Sequence, residues 1–212
     1  MESWESAVLS CSLPSSSTDA GGLTGKCLRV GVVGASGCGK TAILRRLTIS
    51  IQHSGRSRVL LFAPYPGPYG RHCSTRAEAL RSLARKQSCT IITDPELYLS
   101  LMDPVLQRGQ IMLLIDEAHE LYPKAQTPPV MLKILREGRN LGIGLIWATQ
   151  RPTACTTHLL GISQGIVIGR LMGLADIQYS KQWGVDQPLP LYSFKTVLPG
   201  FEDIQEFKSP KY

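Results

Sequence analysis

The 212-residue sequence is marked first by what it lacks. No uninterrupted run of about 18 apolar residues occurs, so no transmembrane segment is expected. The N-terminus has no basic start followed by an apolar stretch, so it does not read as a secretory leader. The six cysteines (Cys11, Cys27, Cys38, Cys73, Cys89 and Cys155) form no Cys-x-x-Cys pair, and no His pair stands at metal spacing. This pattern argues against structural zinc and for a reducing compartment, so a cytoplasmic location is expected. There is no internal repeat. Acidic residues are few, 16 against 23 Lys and Arg, leaving a formal charge of +7. That excess suits an anionic partner such as nucleic acid, and equally a solvated basic surface.

What is present is an ordinary globular composition, 43% hydrophobic and 18% charged, long enough for one domain with a real core. Residues 1–26, with Ser15, Ser16, Ser17, Gly21 and Gly22, read as a flexible arm. Residues 27–186 read as the folded domain. Residues 187–212 read as a Pro-rich tail, because Pro188, Pro190, Pro199 and Pro210 oppose a regular helix; a short hairpin or an extended segment lying on a neighbour is expected there. Within the domain, β-branched and apolar runs at 28–33, 58–62, 90–93, 109–115, 142–148 and 165–169 predict strands. Helical spacing at 42–51, 75–86, 96–107, 130–139 and 174–181 predicts helices between them. Alternating βα units of this kind imply an α/β fold, a mostly parallel sheet flanked by helices on both faces.

The sharpest motif is Gly34-Ala35-Ser36-Gly37-Cys38-Gly39-Lys40-Thr41, followed by Ala42. It fits G-x-x-x-x-G-K-[ST] between a predicted strand and a predicted helix, the setting of a phosphate-binding loop. A chance match in a chain of this length is roughly one in a hundred. The glycines permit torsions that turn successive N–H groups inward on phosphates, and the helix adds its positive end. Lys40 is expected to reach the β- and γ-phosphates of ATP, and the Thr41 hydroxyl to ligate Mg2+. Cys38 reads as a spectator thiol within the loop.

Asp116 and Glu117 follow the apolar run Ile111-Met-Leu-Leu-Ile115, at the carboxyl end of a predicted buried strand. Ligands bind at such strand ends in open α/β sheets. Asp116 is expected to hold Mg2+ through water, and Glu117 to orient the attacking water. A chain that only bound nucleotide would not need the second carboxylate. Residues 116–119 spell Asp-Glu-Ala-His, as in a large group of helicases, but too little chain follows to build those enzymes' second domain. His119 therefore reads as a packing or polar-cap residue. A single domain must borrow the other half of its nucleotide site from a neighbour, so a homo-oligomer is expected.

The segment Leu135-Arg136-Glu-Gly-Arg139-Asn-Leu-Gly142-Ile-Gly-Leu-Ile-Trp-Ala-Thr-Gln150-Arg-Pro152 adds a helix ending in arginines and a buried strand ending in glutamine. Together with the phosphate loop and Asp116-Glu117, it resembles the FtsK/HerA superfamily of hexameric DNA-pumping P-loop ATPases, over roughly residues 28–181. With no large extension, the chain most resembles the genome-packaging ATPases of tailless double-stranded DNA viruses with an internal membrane. The resemblance implies that Gln150 senses the γ-phosphate. It also implies that Arg136 or Arg139 reaches the neighbouring subunit's ATP, against the plain alternative of cations closing a helix C-terminus. It implies further a hexameric ring moving double-stranded DNA of any sequence, a capsid or membrane vertex protein as docking partner, and residence in the host cytoplasm or at a virion vertex. A cellular translocase of the same superfamily and a filamentous-phage-type assembly or export ATPase remain alternatives. Arg76, Arg81 and Arg85 are expected to share much of one helical face, and to contact DNA phosphates if that face lines the ring. A merely solvated face fits them equally.

Overall fold

The computed structural model describes residues 28–53, 58–64, 70–85, 89–197 and 205–208. The arm expected at 1–26 and Lys86, the last residue of the helix expected over 75–86, lie outside the described residues. The described residues form one nine-stranded sheet, in the order β3-β4-β2-β5-β6-β1-β7-β8-β9. The first seven strands are β1 (Arg29–Val33), β2 (Arg58–Phe62), β3 (Arg71–His72), β4 (Cys89–Ile92), β5 (Ile111–Ile115), β6 (Gly144–Thr149) and β7 (Gly165–Ile168), and all pair in parallel. Residues beyond 187 supply β8 (Ser193–Val197) and β9 (Gln205–Lys208), a hairpin added antiparallel to β7.

The period-two alternation of each strand sends its side chains to two separate cores. Val30 and Val32 of β1, Leu114 of β5 and Ile146 of β6 meet Ile43, Leu44, Leu47 and Ile51 of α1 (Lys40–His53) on one face. The other face is covered by α2 (Arg76–Ala84), α3 (Pro95–Ser100), α4 (Met102–Arg108), α5 (Pro129–Glu137) and α6 (Thr157–Gly161). A last helix, α7 (Leu174–Ser180), packs Ile177 against this second core. The α/β architecture with helices on both faces is therefore present. Among the described residues no helix is long and apolar enough to cross a membrane.

Trp147 fills the centre of the second core, fully buried and donating its indole N–H to Ser163 Oγ at 2.9 Å. Its strand partner in register is Gly31. A Cβ at Gly31 would lie 2.3 Å from the indole, so only glycine lets the ring lie across β1.

The single helix expected over 96–107 is two helices, broken at Leu101. Pro104 has no N–H to give to the Ser100 carbonyl, and its ring would clash there in a continuous helix. The freed Ser100 oxygen instead accepts from Arg76 Nε at 3.4 Å. The three arginines expected on one helical face do not share it. Arg85 has left α2 in an extended conformation (φ −81°, ψ 135°), and Arg76 is turned onto the end of α3. All three remain exposed.

Candidate active site

Because β1 to β7 run in parallel, their carboxyl ends share one edge of the sheet. The phosphate loop leaves β1 there, Asp116 and Glu117 leave β5, and Gln150 leaves β6. The strand order places β6 between β1 and β5, so Gln150 stands between the loop and the two carboxylates.

The neck of the loop is stitched to the strands on both sides. Gly34 N donates to Thr149 O at 3.2 Å, and Ala35 N donates to Arg170 O at 2.6 Å. Gly37 and Gly39 adopt φ of +73° and +106°, torsions that side chains disfavour. The Ala35 carbonyl accepts from Cys38 N at 3.3 Å and from Lys40 Nζ at 3.1 Å. Lys40 is thus folded back along the loop, only 5% exposed. Cys38 is wholly buried, and a Cβ on Gly34 would meet its sulfur at 2.6 Å. Burial pushes the Cys38 thiol above its usual range, as suits a packing residue rather than a reactive thiolate.

The carboxylate pair is held tightly. Asp116 N donates to Phe62 O at 2.8 Å and Glu117 N to Asp116 Oδ1 at 3.1 Å. Glu117 has a left-handed backbone (φ 55°), which is uncommon outside glycine and turns its side chain back toward β6. There Gln150 Nε2 donates to Glu117 Oε1 at 2.5 Å. His119 Nδ1 lies 3.5 Å from Glu117 Oε2 and 3.3 Å from Thr149 Oγ1. The Asp116 carboxyl is raised to about 6, first by burial and then by the Glu117 charge, with Lys40 and a hydrogen bond from Thr41 opposing.

The donor set fits a nucleotide with a divalent cation. Thr41 and Asp116 are already within hydrogen-bonding reach of each other, and a cation between them would relieve the cost of ionising a buried carboxyl. Among the described residues no group of three or more His, Cys, Asp or Glu could hold a metal alone. Such an ion would need further oxygens from water or phosphate, as Mg2+ usually has. Lys40 can exchange its bond to Ala35 O for a phosphate oxygen without moving the helix it opens.

Structure and sequence reading agree in gathering Gly34 to Ala42, Asp116, Glu117 and Gln150. Arg136 and Arg139 are not part of this cluster. Both are exposed, in the last turn of α5 and in the 3-10 turn Gly138–Leu141 that follows it. That turn sits at the amino end of β1, where Arg29 Nη1 donates to Leu135 O at 2.6 Å. The five residues of β1 separate it from the phosphate loop, roughly 16 Å of strand. Neither arginine lies beside the phosphate loop of its own chain. Sequence reasoning read His119 as a packing or polar-cap residue and did not single out Thr149, and the structure brings the two into contact beside Glu117. Their contact spans 30 positions, so only knowledge that β5 and β6 are adjacent would have paired them.

Comparison with known proteins agrees with this geometry. A family described as AAA domain matches residues 27–155. The genome packaging NTPase B204 from Sulfolobus turreted icosahedral virus 2, in complex with sulfate, superposes with a TM-score of 0.73 at 17% identity, covering 88% of this chain and 98% of that one. EccC of Thermomonospora curvata (ATPases 2 and 3) gives a TM-score of 0.56 at 12% identity, covering 86% of this chain and 36% of that one. At such identities the likeness shows the fold, which is that of a P-loop NTPase. A thymidylate kinase of Xanthomonas oryzae pv. oryzae is 30% identical over 123 residues, 50% of this chain and 54% of that protein. The chain thus spans about half the length of the curated relatives it matches.

Proposed function

The chain belongs to the AAA domain family, and on that premise we propose that it hydrolyses ATP to drive double-stranded DNA, packaging a viral genome into a preformed capsid. The observation that carries hydrolysis is the carboxylate of Glu117, fixed beside Asp116 and gripped by Gln150 next to the phosphate loop. A carboxylate so placed can take a proton from water attacking a terminal phosphate. Gly34 to Ala42 would cradle ATP through backbone N–H groups, Lys40 would neutralise the β- and γ-oxygens, and Thr41 and Asp116 would hold Mg2+. The ion supplies charge stabilisation to the phosphates when bound. The Gln150 amide has two N–H donors, one holding Glu117 Oε1 and the other to offer to the terminal phosphate, which links nucleotide sensing to the carboxylate.

Translocation rests on less local support: the net charge of +7, the motif resemblance and the fold of B204. Placement of Arg136 and Arg139 at the opposite sheet edge favours a ring, since a neighbour's phosphates are the ones they can meet. A hexamer docked on a capsid or membrane vertex protein, in the host cytoplasm or at a virion vertex, completes this reading. Arg76, Arg81 and Arg85 are all exposed and are the residues proposed to touch DNA phosphates, with Arg76 also bonded to the end of α3.

The test is steady-state ATP hydrolysis by the purified chain with and without long duplex DNA, with Glu117→Gln as blank. Stimulation by duplexes of unrelated sequence supports the motor. Turnover indifferent to DNA favours an assembly or export ATPase, the reading to which the EccC likeness lends itself. The thymidylate kinase likeness supports a third reading, and ADP release that depends on added thymidylate would establish it.

A further inference from the structure

Glu117 is secured through one oxygen only. Oε1 accepts from Gln150, whereas Oε2 is shielded from water and has no hydrogen bond. An acceptor left bare in this way is costly, and a carboxylate held at one oxygen can still swing about its terminal torsion. The group facing Oε2 is the imidazole of His119, with Nδ1 at 3.5 Å. The same nitrogen is 3.3 Å from Thr149 Oγ1, which also accepts from Arg151 N at 3.1 Å.

Only one tautomer suits this arrangement. With the proton on Nδ1, the ring can donate toward both Oε2 and Oγ1. With the proton on Nε2, a lone pair would face the carboxylate. The negative charge therefore selects the Nδ1–H form. Gln150 holds Glu117 Oε1 with one amide N–H, and aiming its second N–H at a terminal phosphate would turn the first away from the carboxylate. If it turns away, His119 Nδ1, 3.5 Å from Oε2, is a donor that can close on the carboxylate from the end of β6.

We propose that His119 is a positioning residue for hydrolysis: it fixes the plane of the Glu117 carboxylate by donating from Nδ1 to Oε2, and uses Thr149 as its anchor. This rests on Glu117 acting as the base in the proposed ATPase. His119 touches neither phosphates nor cation in that scheme, so its loss acts on turnover and leaves nucleotide binding alone. The residue is a third exposed, and a purely packing role would not single out one of its two nitrogens.

The experiment compares kcat, KM and ATP affinity for the full chain and for His119→Ala, His119→Asn and His119→Gln, with Glu117→Gln as blank. An asparagine amide reaches about as far as Nδ1, and a glutamine amide about as far as Nε2. His119→Ala is expected to lower kcat by about 10- to 100-fold, the scale of a misoriented catalytic group, with KM and affinity within about twofold. His119→Asn should recover most of the loss and His119→Gln little of it. A His119→Ala enzyme with wild-type kcat, a loss confined to KM, or an asparagine variant as impaired as alanine overturns the proposal. Wild-type turnover no higher than that of Glu117→Gln sinks the hydrolysis reading itself, and shows before any His119 variant is compared.

Discussion

In the role proposed for it, Asp116 costs stability when no nucleotide is bound, and Asp116→Asn should expose the cost. In the folded chain its carboxyl is raised from 3.8 to about 6, chiefly by burial and then by Glu117. Roughly two units at about 1.36 kcal/mol each correspond to about 3 kcal/mol against the ionised, folded form. The side chain keeps some contact with water, so a realised effect on the order of 1–3 kcal/mol is expected. Asparagine has nearly the same shape and can still accept from Glu117 N–H, but it carries no charge. In EDTA at pH 8, Asp116→Asn should therefore be the more stable protein, by about 3–10 °C in Tm at the usual 2–4 °C per kcal/mol for a chain of about this size.

The pH dependence has a definite sign. Between about pH 3.8 and 6 the folded wild-type chain binds more protons at this site than the unfolded one, so its stability falls as pH rises through that window. The advantage of Asp116→Asn is full above about 6 and gone below about 3.8. Thermal melts of both proteins, recorded from pH 4 to 8 and compared as differences, isolate this group from other titrations. With ATP and Mg2+ the order should reverse, since the wild type gains a bound cation and the variant does not. An asparagine variant less stable than wild type at pH 8 in EDTA, or a gap that does not close toward pH 4, would refute the reasoning.

Three further outcomes follow from the same geometry. Lys40→Ala removes the cation that the loop folds against Ala35 O and should weaken ATP binding at least about tenfold by calorimetry. Gly31→Ala places a methyl 2.3 Å from the Trp147 indole and should lower stability by about 1–3 kcal/mol in urea melts; unchanged stability would mean the ring moves freely. For the arginines, mixing Arg136→Ala or Arg139→Ala chains with Lys40→Ala chains should restore some turnover at mixed interfaces. No recovery with either variant would argue against a role on a neighbour's phosphates.

How much of this was legible beforehand depended on how local the cause was. Strand β2 is read at its observed bounds because four apolar residues follow Arg58 and run up to the breakers that begin at Pro64, and the phosphate loop is read because its glycines, lysine and threonine are contiguous. The break at Leu101 was missed because proline is acceptable in the first turn of α4, so the apolar spacing runs on through it. The expected arginine stripe failed for a similar reason: periodicity shows which residues would share a helical face, and not where the helix stops or what Ser100 O, 24 positions away, would recruit. The location of Arg136 and Arg139 at the far edge was implicit in the order helix, turn, strand, since a helix that feeds β6 must end where β6 begins. His119 was beyond reach. Its partners Glu117 and Thr149 become neighbours only because β6 lies against β5, and strand order leaves no periodic trace in sequence. The same adjacency, with β1 on the other side of β6, is what joins Gln150 to both the phosphate loop and Glu117. The candidate site is thus a property of sheet order, and the motifs announce its parts without saying which of them touch.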